Sequence, residues 1–269
     1  MAIKNRRLPA VDVIASNTWT ARFFGLLLGL AAWFALATVF PNNLMPYPYE
    51  TIQLAWGLVE SGVAWPNLRA TLLRTLWGFI GSSLLGVALG VFMGINNYSQ
   101  RFFTPYVVIG LSIPAIAWAA VTTIVYGFSI MAPVVATVLT TFPYVAINVW
   151  KGVENLEPEL IDMSRSFNIS RGRMLRRLII PSAAPFLFSS FRFGLAISWK
   201  IVTIAEIFAA SSGIGYKLMQ AYQVYRFEEA WAWASLFIIV ILAIEYGIIK
   251  PIEKRVFEYR HDADFALIG

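Results

Sequence analysis

Residues 23–40 read FFGLLLGLAAWFALATVF, bounded by Arg22 on one side and Pro41 on the other. These 18 residues carry no charge. As an α-helix they reach about 27 Å at 1.5 Å per residue, close to the thickness of a bilayer's hydrocarbon core. The run is long enough to span a membrane. Five further apolar runs follow it. They lie at 75–95, containing GSSLLGVALGVFMG; about 105–128, interrupted by Pro114; 130–150, carrying Pro133 and Pro143; about 181–208, containing Arg192, Lys200 and Glu206; and roughly 230–249.

The composition agrees. The 269 residues are 58% hydrophobic and 13% charged, about half the charged fraction of a soluble domain. So few charges cannot cover a water-facing surface. Disorder, collagen-like fibre and a small disulfide scaffold are excluded by the same figures. The expected fold class is an all-α polytopic membrane protein with about six transmembrane helices, one domain over 1–269. Cysteine is absent, so there are no disulfides, thiolate metal sites or cysteine nucleophile. The single histidine, His261, rules out a zinc site built on two histidines, and no metal site is expected. The start, MAIKNRRL, lacks the compact apolar stretch and small-residue cleavage site of a secretory signal.

The net charge of +6 reflects basic residues clustered beside apolar runs, the pattern that membrane orientation produces, and no nucleic-acid partner is expected. With the N-terminus inside, the inner segments hold Lys4, Arg6, Arg7, Arg22, Arg101, Lys151, Arg165, Arg171, Arg173, Arg176, Arg177, Lys250, Lys254, Arg255 and Arg260, 15 of the 21 basic residues. The outer segments hold Arg69, Lys217 and Arg226; Arg74, Arg192 and Lys200 lie in or near the bilayer. This asymmetry predicts that both termini are cytoplasmic. Between the first two runs, PYPYETIQLAWGLVESG (46–62) predicts a short external helix from Pro48, lying in the interface with Ile52, Trp56 and Val59 on one face.

The longest inner segment, 151–180, contains two short helical patterns. Asn155 caps the first, with Pro158 in its first turn. Leu156, Leu160, Met163 and Phe167 then form one apolar stripe, and Asn168 ends the helix in the left-handed conformation. Ser170 caps the second pattern. There Met174, Leu175, Leu178 and Ile179 face one way, and Arg173, Arg176 and Arg177 snorkel to the headgroups. From the residues alone two readings stay open: docking into a groove on a partner, or packing on the chain's own bundle.

EPELIDMSRSFNISRGRMLRRLIIPSAAP (157–185) resembles the EAA loop of ABC importer permeases, roughly E-A-A-x-x-x-G, a nine-residue gap, then I-x-x-P. Asp162 stands at the glutamate position, Met163 and Ser164 at the alanines, Asn168 at the glycine, Leu178 at the isoleucine and Pro181 at the proline. GVAWPNLRATLLRTLWGF, LSIPAIAWAAV, SSFRFGLAISWKIVTIAEIF, SSGIGYKL and IEKRVFEYR resemble stretches of the nitrate, sulfonate and taurine branch. The resemblance implies a type I importer fold in the bacterial cytoplasmic membrane. It implies a dimer with an identical or different second permease, two ATP-binding subunits that hold ATP and Mg2+, and an extracytoplasmic binding protein. It assigns coupling to Leu160, Asp162, Met163, Ser164, Arg165, Phe167 and Asn168. Consistently, the chain has no G-x-x-x-x-G-K-[ST] loop to cradle ATP phosphates, so it is read as a transporter subunit without an ATPase site and without a cofactor of its own.

Polar residues within spans tend to face a cavity or another helix. Thr137, Thr141, Tyr144 and Asn148 make one stripe on the fourth run. Arg192, Ala196, Trp199, Thr203 and Glu206 make one on the fifth, with Lys200 adjacent, and Trp118, Thr122 and Tyr126 share a face on the third. These three runs are expected around the translocation pathway, with the first and sixth toward lipid. Interhelical hydrogen bonding is the competing reading for the hydroxyls, and charge pairing for Arg192, Lys200 and Glu206. Arg74 and Glu245 stand near span ends and are expected to snorkel. Ser82, Gly86, Gly90 and Gly94 form a small-residue ladder that predicts a close helix contact, and Gly213 and Gly215 shape an external turn. The alternative function is an ion-coupled secondary transporter, with Glu206 and Lys200 serving coupling. The solute stays open among nitrate, bicarbonate, alkanesulfonate, taurine and aromatic or heterocyclic compounds.

Overall fold

A computed structural model describes residues 18–155, 163, 166, 167 and 169–256. The described residues are helical, joined by short turns. The first apolar run forms α1 (Thr18–Val39). The external segment forms α2 (Pro48–Glu60), with proline at its first position and the Glu50 carboxylate accepting from Tyr47 N at 3.1 Å. Then come α3 (Ala64–Ile95), α4 (Asn97–Ser112), α5 (Ala115–Tyr126) and α6 (Met131–Glu154). After the 155–170 loop, α7 (Arg171–Met174) passes through a π-helical turn (Leu175–Ile179) into α8 (Ile180–Ala209). The chain continues as α9 (Ile214–Gln223), α10 (Phe227–Ile244), a second π-helical turn (Glu245–Ile249) and α11 (Lys250–Val256).

Four helices are long and apolar enough to cross a membrane: α1, α3, α6 and α10 with its continuation. Two bent pairs bring the number to 6 when each is one span: α4 with α5, bent by 93°, and α8 with α9, bent by 48°. The first bend falls at Ile113–Pro114, where proline disfavours helix at the residue before it. Ile113 is accordingly extended, at φ −75° and ψ 121°.

The second span differs from the expectation of 75–95. α3 begins at Ala64 and runs for 32 residues. Asn67, Arg69 and Arg74 dilute the apolar signal of its N-terminal third, and their helical placement follows from packing rather than hydropathy. The C-terminal part of α3 lies along α6, and the small-residue ladder is the seam. A Cβ on Gly90 would stand 2.6 Å from Ala146 O, and one on Gly86 2.6 Å from Val145. Glycine is required there because the backbones approach closely, and the branched Val145, Val149 and Val153 fill the notches. α6 is therefore the central helix, flanked by α3 and α8. α1 stands apart, with only 6% of its apolar window buried. Its C-terminal half meets the rest through Trp33, whose Nε1 donates to Pro46 O at 3.2 Å and whose ring lies 5.6 Å from Trp231.

Candidate functional site

The expected pathway residues divide into a buried and an open set. Thr137 and Thr141 are fully buried inside the chain because their stripe of α6 faces α3 and α8. Thr137 lies against Gly78, and Thr141 lies near Gly194. The Thr137 hydroxyl satisfies itself on Pro133 O at 2.8 Å, and Thr122, also buried, does so on Trp118 O at 2.8 Å. Trp199 is buried and packs edge-on to Phe237 with centroids 6.3 Å apart. These four do not face open space in this conformation.

The open set lies on α5, α6 and α8. Tyr126 is exposed, and Trp118 is half-buried with its Nε1 lacking a hydrogen-bond partner. Tyr144 and Asn148 are half-buried; Asn148 Nδ2 donates to Tyr144 O at 2.9 Å. Thr203 is half-buried, with its hydroxyl on Trp199 O at 3.0 Å. Lys200 is exposed and has no hydrogen bond or ion pair among the described residues. It precedes the C-terminal end of α8 by nine residues, about 13 Å along the axis.

The remaining charges are paired. Arg192 Nη2 donates to Glu245 Oε1 at 2.7 Å, and Nη1 to both carboxylate oxygens of Glu253 at 2.8 Å. Glu206 is fully buried and meets Arg74 Nη1 at 2.7 Å. Arg74 and Glu245 were expected to snorkel at span ends, and the structure corrects both. Arg74 is interior because α3 starts 11 residues earlier than the apolar signal, and Glu245 faces α8. The residues missed by the sequence reading are Asn67 and Thr71, which share the face of Arg74 at i, i+4 and i+7. That spacing, together with an intramembrane Glu206 in need of a partner, was the available signal.

Between α6 and α7, Met163 and Phe167 are exposed by 50% and 75% of their surfaces. Phe167 N donates to Met163 O at 3.1 Å, a helical turn that brings both to one side. Leu160, Asp162, Ser164, Arg165 and Asn168 lie outside the described residues. Among the described residues no group of three acidic or histidine side chains could hold a metal ion.

The fold has solved counterparts. A chain of the MetNI methionine ABC transporter, in an inward-facing conformation, superposes with a TM-score of 0.62 at 20% identity, covering 73% of this chain and 96% of that one. The taurine transport system permease protein TauC of Escherichia coli is 24% identical over 234 residues, 84% of each chain. The nitrate import permease protein NrtB of Leptolyngbya laminosa is 24% identical over 213 residues, 76% of this chain and 75% of that one. The family model of the binding-protein-dependent transport system inner membrane component matches residues 83–257. With apolar spans, a central α3–α6–α8 bundle and that match over most of its length, the chain belongs to this family and is a multi-pass permease subunit of the ABC importer type.

Proposed function

We propose that this permease conducts a small solute that carries an anionic group, of the sulfonate, taurine or nitrate kind, along the face of α8 that bears Lys200. The reading rests on Lys200 itself. An ammonium group deep in a span is costly against lipid, so the face that bears it belongs to an aqueous cavity or a subunit contact. Neighbouring cations are already neutralised: Arg74 by Glu206, and Arg192 by Glu245 and Glu253. Lys200 is left to attract an anion, and relatives such as NrtB and TauC carry anion-related names. Tyr126 and Tyr144 supply hydroxyl donors on α5 and α6, and Asn148 Nδ2 keeps a second hydrogen beside the one given to Tyr144 O.

In this reading two ATP-binding subunits, loaded with ATP and Mg2+, dock on the inner loop through Met163 and Phe167. A second permease, identical or different, completes the pathway, and a binding protein delivers solute from outside. Both termini are cytoplasmic. Ion-coupled secondary transport would need Glu206 free to exchange its partner. Its carboxylate is instead engaged by Arg74, Thr71 and Gly215.

Lys200→Met tests the proposal in the complete complex reconstituted in liposomes, with nitrate, taurine and an alkanesulfonate as probes. Uptake of whichever probe the parent transports should fall about tenfold or more, with assembly unchanged. Unchanged uptake would reduce Lys200 to a structural charge.

A further inference from the structure

The C-terminal end of α8 is gripped by a buried hydrogen-bond network that does not include Lys200. Asn67 Oδ1 accepts from Gly213 N at 2.9 Å, and Thr71 Oγ1 from Ile214 N at 2.9 Å. Glu206 Oε2 accepts from Gly215 N at 3.0 Å. These three N–H groups open α9, and a helix start leaves such donors without partners inside the helix. The Glu206 carboxylate also places negative charge at the positive end of the helix dipole.

Arg74 closes the ring. Its Nη1 donates to Glu206 Oε1 at 2.7 Å and to Ser212 O at 2.6 Å, and its Nη2 to Ser212 Oγ at 3.0 Å. The Thr71 hydroxyl donates between the two Glu206 oxygens, at 3.0 and 2.9 Å. Two glycines let the backbone come this close. Gly213 takes φ +110°, and a Cβ on it would collide with the Glu206 carboxylate; one on Gly215 would collide with Thr203 O.

A buried ion pair is a weak source of net stability, because desolvation offsets the attraction. Here it supplies direction. Every hydrogen bond in the ring joins two of three pieces: α3, the outer end of α8, and the 210–215 elbow that starts α9. We propose that Arg74 and Glu206 are a positioning pair for the transport cycle, fusing α3, outer α8 and α9 into one rigid unit. The face of α8 bearing Ala196 and Lys200 then changes exposure only when the whole unit moves. Lys200 lies six residues from Glu206, about 9 Å along one helix, so its tilt is set by the ring. The inference rests on the reading of that face as pathway lining.

The chain is free of cysteine, so one cysteine can report on the face. Ala196→Cys is introduced in the complex with its ATP-binding subunits. Labelling by a water-soluble maleimide is timed without nucleotide and with ATP plus vanadate. The parent should show rates at least about fivefold apart. Arg74→Met/Glu206→Gln removes the buried charge from both sides. It should assemble and melt like the parent, yet its two rates should agree within about twofold. The uncharged variant Thr71→Val, which removes the hydroxyl's bonds to Ile214 N and to the Glu206 carboxylate and leaves the Arg74–Glu206 ion pair, should shrink the difference at least about twofold. A double variant that keeps the fivefold difference, or, where the double variant does not assemble, a Thr71→Val variant that keeps it, overturns the inference. A parent whose rate ignores ATP overturns the pathway reading and this inference with it.

Discussion

Arg192 shows how one residue's role follows from the charges around it. It faces two carboxylates, Glu245 at the start of the second π-helical turn and Glu253 in α11, at 2.7 and 2.8 Å. The three side chains are 39%, 27% and 34% exposed, so solvent screens the pairs and limits their worth. Arg192→Met leaves two like charges facing each other. It should lower the melting temperature of the purified permease by a few degrees, about 1 kcal/mol after screening. Glu253→Gln should cost less, because Glu245 still neutralises the guanidinium. An Arg192→Met protein with unchanged melting but lost uptake would return Arg192 to the pathway. The position of Arg192 in a polar stripe was legible; its partners were not, because they lie 53 and 61 residues away. The same holds for Glu206 and Arg74, separated by 132 residues. Hydroxyls such as Thr137 were ambiguous for another reason: a threonine in a helix can satisfy itself on its own backbone, so its spacing does not reveal what it faces.

At the scale of elements, the seam between α3 and α6 carries the bundle. Its small residues were readable as a ladder, and the valines that fill the notches confirm the close approach. Gly90→Leu forces the helices apart, since even a Cβ would overlap Ala146 O. The expected cost is about 1–3 kcal/mol, seen as lowered melting and reduced yield in detergent. Gly57→Leu on α2 is the control, as nothing lies within 4 Å of a Cβ there. Equal behaviour of the two variants would contradict the seam. Most spans were legible from apolar length alone. The outer third of α3 was not, because Asn67, Thr71 and Arg74 look like loop chemistry until their partners on α8 and α9 are known. The bend between α4 and α5 was marked by Pro114, but a proline states where a helix yields and not by how much.

For the whole molecule, the family places an importer's permease in the membrane, while the direction in which it sits is an expectation from the 15 inner basic residues. Ser170 is exposed at the start of α7. Ser170→Cys should react in intact cells only with membrane-permeant reagents, and labelling by an impermeant one would invert the topology. The coupling of the inner loop to ATP-binding subunits is the central claim, and Phe167 gives the most direct test. Its ring is 75% exposed in the isolated chain, so truncation removes little internal packing. Buried in a partner's groove, that ring is worth roughly 1.5–3 kcal/mol. The decisive measurement is the affinity of Phe167→Ala for the ATP-binding subunits, with the melting of the isolated permease recorded beside it. Affinity should fall about tenfold or more at unchanged melting temperature. Intact affinity with a lowered melting temperature would mean that the loop packs on its own bundle, and the coupling assignment would be wrong.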